Sequence, residues 1–237
     1  MQSLQNVKVG VIVPTRGDRP QFLKNCKRLI SYQTLQPTKV IYVDFPPESN
    51  EIDITKRYRH GYNALRNFDL DVIAFMEDDD WYSYTYLQTM VEAWIKHGRP
   101  ELFGTSITMY YNIRVFGYFP MNHHTQSHAM STLIKPDLSF DWCPDNEAFT
   151  DTFLWAAAVN NQTGKLLTRV IFTPPLYICL GIKHGIGKTG GRSHVDRLDR
   201  YSTNTGKRDI NLDFLRSVVD EESFELYRNI FANEKQI

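Results

Sequence analysis

Cysteine is scarce in this sequence: three residues in 237, Cys26, Cys143 and Cys179, odd in number, widely spaced and without a C-x-x-C pair. That excludes a disulfide framework and reads as reduced thiols in a cytoplasmic protein. Charge of one sign is also missing. Lysine plus arginine and aspartate plus glutamate stand at 27 each, so no global field marks a general nucleic-acid binder, although a local basic groove can sit inside a neutral total. Long hydrophobic runs are absent too. The first apolar stretch ends at Pro14, with no basic start and no small-residue cleavage site, so no signal peptide is expected. No segment approaches the roughly 18 apolar residues of a membrane span. Internal repeats, low-complexity tracts and a clear linker are lacking, and 42% hydrophobic content supports a real core. The expectation is a single domain over residues 1–237, with a first half at 1–97, a second half at 98–195 and C-terminal helices at 196–237.

What is present is an alternation of strands and helices. Val7 to Val13 is a buried strand ended by "PTRGDRP". In the following "QFLKNCKRLISYQ", Phe22, Cys26, Leu29 and Ile30 fall on one helical face, with Pro20 suited to a first turn. "KVIYVDF" reads as a second strand, "IDITKRYRHGYNALRNF" as a helix and "DVIAFM" as a third strand. Such alternation implies parallel pairing with right-handed crossovers. "YTYLQTMVEAWIKHG" follows as a helix. "LFGTSITMYY" and "IRVFGYF", separated by Asn112, predict strands that extend the sheet in a mixed or antiparallel sense. "NEAFTDTFLWAAAV" returns to helix, and "LLTRVIF" and "LYICLGI" to strand. The segment "GIKHGIGKTGGRSH" reads as a glycine-rich loop, and two helices near Asn211–Ser217 and Glu222–Phe231 finish the chain.

In parallel sheets ligands bind at the carboxyl ends of the strands. Thr15 to Arg19, then Asp44, then the acids Glu77 to Asp80 of "FMEDDDWYS" should therefore share one rim. Adjacent carboxylates repel one another, and a hard divalent cation, Mg²⁺ or Mn²⁺, with substrate phosphates completing its shell, is the natural counter-charge. The plainer reading is a solvated turn in which Asp80 or Ser83 caps the next helix.

"VIVPTRGDRPQFLKNCKRLISYQT", then "KVIYVD", then Asn63, then "DVIAFMEDDDWY" together resemble the family-2 glycosyltransferases of the GT-A fold over the first ninety or so residues. The resemblance implies an α/β fold with a Rossmann-like, mostly parallel central sheet and a mixed extension, residues 1–97 being the nucleotide-sugar-binding half and 98–195 the acceptor-side half. It also implies a metal-dependent glycosyltransferase that moves a sugar from a nucleotide diphosphate donor, a UDP-sugar first among them, to a hydroxyl acceptor. Thr15 and Asp44 would meet the base and ribose, Glu77 and Asp78 the ribose and sugar, and Asp79 the Mn²⁺ or Mg²⁺. Arg19, Asn63, Trp81, Lys188 and Arg192 join the implied donor contacts, and His194 the metal or diphosphate. "PDNEAFTDTFLW" resembles the family's acidic segment that ends in the catalytic base of inverting members, here Asp151; helical spacing would put Glu147 on the same face, with Asp145 as a cap. Where the family carries a second acid and a Ser after the second strand, this chain has "VDFPPES", and Arg57 or Arg59 would replace the family's arginine before Asn63.

Rival signals are weaker. Five residues separate Gly181 from Gly187, one too many for a phosphate loop. His123, His124 and His128 have partial zinc spacing, but no cysteine pair accompanies them, and a loop near the acceptor fits better. Trp81, Tyr82, Tyr84 and Tyr86 are packing aromatics by default, Trp81 alone being close enough to the acids to stack a ligand. Two other functions use the same motif: a nucleotidyltransferase, which would release pyrophosphate, and a sugar-binding module of the same fold without catalysis. The acceptor is open: a glycan, a lipid-linked oligosaccharide, a protein, or a modified base in DNA reached through Lys183, Lys188, Arg192, Arg197 and Arg200.

Overall fold

The computed structural model describes residues 4–47, 52–157, 159–175, 177–186 and 206–230. Lys188, Arg192, His194, Arg197 and Arg200 lie outside the described residues. The strands are β1 (Val9–Pro14), β2 (Lys39–Val43), β3 (Val72–Phe75), β4 (Trp81–Tyr82), β5 (Leu102–Thr105), β6 (Ile107–Asn112), β7 (Gly117–Asn122), β8 (Thr132–Ile134), β9 (Arg169–Phe172), β10 (Cys179–Lys183) and β11 (Lys207–Arg208). The α-helices are α1 (Pro20–Ser31), α2 (Ile54–Leu65), α3 (Tyr86–Lys96), α4 (Thr150–Ala156), α5 (Asp213–Val218) and α6 (Glu221–Asn229).

A six-stranded sheet has the order β2-β1-β3-β8-β5-β9, and a five-stranded sheet the order β11-β7-β6-β10-β4. In the first, β2, β1 and β3 run parallel, β8 is antiparallel to both its neighbours, and β9 is parallel to β5. This is the α/β architecture that the GT-A resemblance implied, a mostly parallel core with a mixed extension. Every residue of β1 and β3 is buried, as expected of strands covered on both faces. One face of β1 joins Val9, Val11 and Val13 to Cys26, Met90 and Trp94, and the other sets Ile12 against Tyr58, Tyr62 and Leu65 of α2. Gly61 permits that approach, since a Cβ there would lie 2.5 Å from Ile12 Cγ2.

Several element boundaries differ from the sequence pattern. "LFGTSITMYY" is two strands, because Ser106 divides it: β5 joins the first sheet and β6 the second. Asn112 ends β6 and turns the chain, its side-chain oxygen accepting the Arg114 N–H at 2.8 Å. The helix expected over 146–159 spans only Thr150–Ala156. "GIK" at 181–183 belongs to β10 rather than to a loop. All three cysteines are buried free thiols. Among the described residues no helix is long and apolar enough to cross a membrane.

Candidate functional site

The carboxyl ends of β1 and β3 in one sheet and of β10 in the other deliver Thr15 with Arg19, the four acids, and His184 to one place. The acidic segment is not a solvated turn. Asp78 and Asp80 are 1% and 2% exposed, and the residue at the cap of α3 is Thr85. Asp80 Oδ1 accepts the backbone N–H of Ile182 in β10 at 2.8 Å, which ties the acids of the first sheet to the second.

Arg19 immediately precedes α1, whose Pro20 opens the first turn. Its guanidinium forks over two acids, donating to Asp78 Oδ1 at 2.6 Å and to Asp79 Oδ2. Asp79 Oδ2 also meets His184 Nε2 at 2.9 Å. The imidazole tautomer follows from its other nitrogen: Nδ1 accepts the Ile186 N–H at 2.9 Å, so Nε2 carries the proton and donates. His184 is fully buried, and its ring lies 4.4 Å from that of Phe22 in α1. Glu77 accepts from the Tyr58 hydroxyl at 2.9 Å, while the Tyr82 hydroxyl accepts the Glu77 backbone N–H at 2.7 Å.

Burial works to raise the Asp79 carboxyl, but Arg19 and the His184 N–H outweigh it and hold the group well below the usual carboxylate range. Its neighbours go the other way. Burial pushes Asp78 up to about 7 against the pull of Arg19, and burial with the charge of Asp79 raises Glu77 and Asp80. The four carboxyls face two cations, Arg19 and Lys183, with His184 neutral, so two negative charges are left over when all are ionised.

A divalent cation would offset the mutual repulsion that raises Glu77 and Asp80. Ligand oxygens of Glu77, Asp79 and Asp80 lie within 4.8 Å of one another, and the buried Oδ2 atoms of Asp78 and Asp80 have no hydrogen-bond partner. An all-oxygen donor set of this kind fits Mg²⁺ or Mn²⁺. Asp80 thus joins Asp79 and Glu77 as a candidate ligand that the sequence pattern did not separate from its neighbours.

Asp151 occupies the first turn of α4, part-buried, and Oδ1 accepts the Thr152 N–H at 3.0 Å. Burial raises its carboxyl, with the backbone N–H groups of Thr152 and Ala129 and the Lys183 charge opposing. Asp151 is among the charges that raise the Glu77 carboxyl. Glu147 does not share its helix face. It precedes α4 and accepts the Ala148 and Phe149 N–H groups, while Asp145 pairs with Arg59 at 2.7 Å instead of capping.

Thr15 is 1% exposed at the end of β1, its hydroxyl supporting Asp78. Asp44 is exposed just after β2. Arg57 lies beneath that edge, donating to the carbonyls of Thr15 and Val43 and to Asp53, with its guanidinium 4.2 Å from the Phe45 ring centre. It braces the β1 and β2 loops from within. Two expected contacts are not brought to the acids. Asn63 is exposed near the end of α2 that meets the start of β1, away from the carboxyl rim. Trp81 is 5% exposed and packs among Phe22, Leu180 and Tyr227; its indole N–H donates to Asp220 at 3.0 Å, so the ring is core rather than a stacking platform. His184 is the residue missed by sequence reading, its only signal being a lone histidine directly after the strand in "CLGIKHG".

No family model matches the chain, and no curated protein sequence does. Among solved structures, S. aureus TarS 1-349 in complex with UDP-GlcNAc matches at 13% identity and TM-score 0.46, over 96% of this chain and 72% of that one. S. aureus TarS 1-349 in complex with UDP matches at 12% identity and TM-score 0.45, over 96% and 71%. A further structure of S. aureus TarS matches at 12% identity and TM-score 0.42, over 96% of this chain and 43% of that one.

Proposed function

We propose that the protein is a metal-dependent glycosyltransferase that moves a sugar from a nucleotide diphosphate sugar to an acceptor hydroxyl with inversion at the anomeric carbon. The observation that carries the reading is the meeting of Glu77, Asp79 and Asp80 at the carboxyl end of β3, with ligand oxygens within 4.8 Å of one another. The GT-A family resemblance supports it. Asp79 with Glu77 and Asp80 would hold Mn²⁺ or Mg²⁺, which would supply Lewis-acid neutralisation of the diphosphate.

The chain's own groups do the rest. Arg19 and Lys183 are the cations beside the acids, placed to stabilise charge that develops on the leaving diphosphate. His184 holds Asp79 in one orientation through its Nε2–H. Thr15 and Asp44, at the ends of β1 and β2, take the nucleoside. Asp151 accepts the proton of the acceptor hydroxyl as its oxygen bonds to the anomeric carbon and the bond to the diphosphate breaks. Its burial raises its basicity over an exposed aspartate.

Asp151→Asn tests the assignment. Transfer is expected to fall by about 10² to 10⁴ with donor affinity retained, and the parent product should carry the inverted anomer by NMR. A variant within a few-fold of the parent, or a product that keeps the donor's configuration, would remove Asp151 from this role.

A further inference from the structure

A cleft of about 580 Å³ opens beside α4, between the segment 124–126 on one side and β9 on the other. Thr152, Trp155 and Ala156 of α4 form one wall, and Arg169 and Ile171 of β9 another. Thr152, the residue after Asp151, is part of its lining, with Trp155 and Ala156 farther along the helix. With a rise of about 1.5 Å per residue, Ala156 is about 7.5 Å farther along the axis than Asp151, on the order of one to two sugar units.

Its polar lining is one-sided. His124, Thr125, Gln126, Thr152 and Arg169 supply a cation, an imidazole, an amide and two hydroxyls, and among the described residues no carboxylate lines it. Arg169 donates through Nη1 to the Trp155 carbonyl at 2.6 Å, which fixes the guanidinium to the helix wall. Among the described residues it has no acidic partner, which leaves its charge uncompensated at the cleft.

The α4 wall is held firmly. Gly104 in β5 is packed so closely that a Cβ there would lie 2.3 Å from Ser127 Cβ and 2.8 Å from Trp155 Cζ2. Ser127 Oγ accepts the Thr105 N–H at 2.9 Å, and the Trp155 indole donates to Thr132 Oγ1 at 3.1 Å. The α4 wall is therefore preformed through its contacts with β5 and β8, which lowers the ordering cost of binding.

We propose that this cleft is a subsite for a single oxyanion carried by the acceptor, a phosphate, sulfate or carboxylate held by Arg169 and the polar wall at 124–126. The inference rests on the glycosyltransferase reading, which puts the reacting hydroxyl at Asp151. It narrows the acceptor to one that carries an acidic group. Nucleic acid is disfavoured, because a phosphate track calls for a row of cations and this cleft offers one arginine in a chain with no net charge.

The test is an NMR titration of the full chain with inorganic phosphate, sulfate and acetate, read at the Trp155 indole N–H. At least one probe is expected to give a saturable shift, and the tightest of the three identifies the oxyanion class. Arg169→Ala should weaken it about tenfold or more, Arg169→Lys should restore part of the loss, and Gln126→Glu, which places a negative charge in the facing wall, should weaken it independently. No saturable shift with any probe, or an undiminished one in Arg169→Ala, would overturn the proposal. So would a short thymidine oligonucleotide that binds far tighter than phosphate and loses affinity steeply with salt. The titration uses neither donor nor metal, so a null result leaves the transferase reading standing, and a chain without donor turnover would still give the shift.

Discussion

At the scale of single residues, the central relation is the fork of Arg19 over Asp78 and Asp79, completed by His184. A buried acid stripped of its partner is costly, so Arg19→Ala should lower thermal stability in the absence of metal by about 3 kcal/mol or more. The same loss leaves Asp79 with one partner fewer and the site with a larger charge deficit. Adding Mn²⁺ is therefore expected to raise the melting temperature of Arg19→Ala by more than it raises that of the parent; an equal or smaller rise would mean that the guanidinium and the cation do not serve the same carboxylates. Much of this constellation was legible, because Thr15, Arg19 and the acids sit at strand ends that buried apolar runs disclose. His184 was not. Its role depends on β10 reaching Asp80 through the Ile182 N–H, a contact across 102 residues that no local pattern announces.

At the scale of elements, two helices show how packing and polar anchoring divide the work. α2 reaches the sheet through Gly61, where an added Cβ would lie 2.5 Å from Ile12 Cγ2 and 3.1 Å from Val43 Cγ2. Alanine would gain about 1 kcal/mol of helix propensity but overpack a rigid β-branched contact at about 1–3 kcal/mol. Gly61→Ala should therefore lower the urea midpoint, and a higher midpoint would contradict the close approach. α6 is anchored differently. Asp220 caps it at the Ser223 N–H and also accepts from Arg28 at 2.6 Å and from the Trp81 indole. Burial pushes the Asp220 carboxyl up, but Trp81, Ser223 and Arg28 together hold it below its ordinary value. A depressed folded pKa gives stability that is complete above the unfolded value, about 3.9, and is lost as pH falls through the folded one. Asp220→Asn, which retains the cap but not the charge, should thus be less stable than the parent at pH 7, with the gap closing in the acid range; a constant gap down to pH 2 would refute the linkage. The sequence disclosed α1, α2, β1 and β3 because their faces are set by local periodicity. It did not disclose the split of β5 from β6 at Ser106, the two-residue strands β4 and β11, or the short α4, since each is defined by its partner in the sheet or by chain reversal before Thr150.

At the scale of the whole molecule, the two sheets meet at the acids. The loops of the six-stranded sheet supply Arg19 and Glu77–Asp80, the end of β10 in the five-stranded sheet supplies Lys183 and His184, and α4, which also lines the cleft, carries Asp151. In the proposed function each contributes a part of one chemistry: cation site, diphosphate charges and base. The resemblance in the first ninety residues pointed to the first part, while the second part depends on how the later strands return to β4. The most direct test measures release of nucleoside diphosphate from a panel of nucleotide diphosphate sugars, with and without Mn²⁺ or Mg²⁺, by the parent and by Asp79→Asn. The expected result is cation-dependent release by the parent and its loss in a folded Asp79→Asn variant. Release of pyrophosphate instead, no release with any donor, or equal cation-dependent release by both proteins would contradict a nucleotide-sugar transferase built on Asp79.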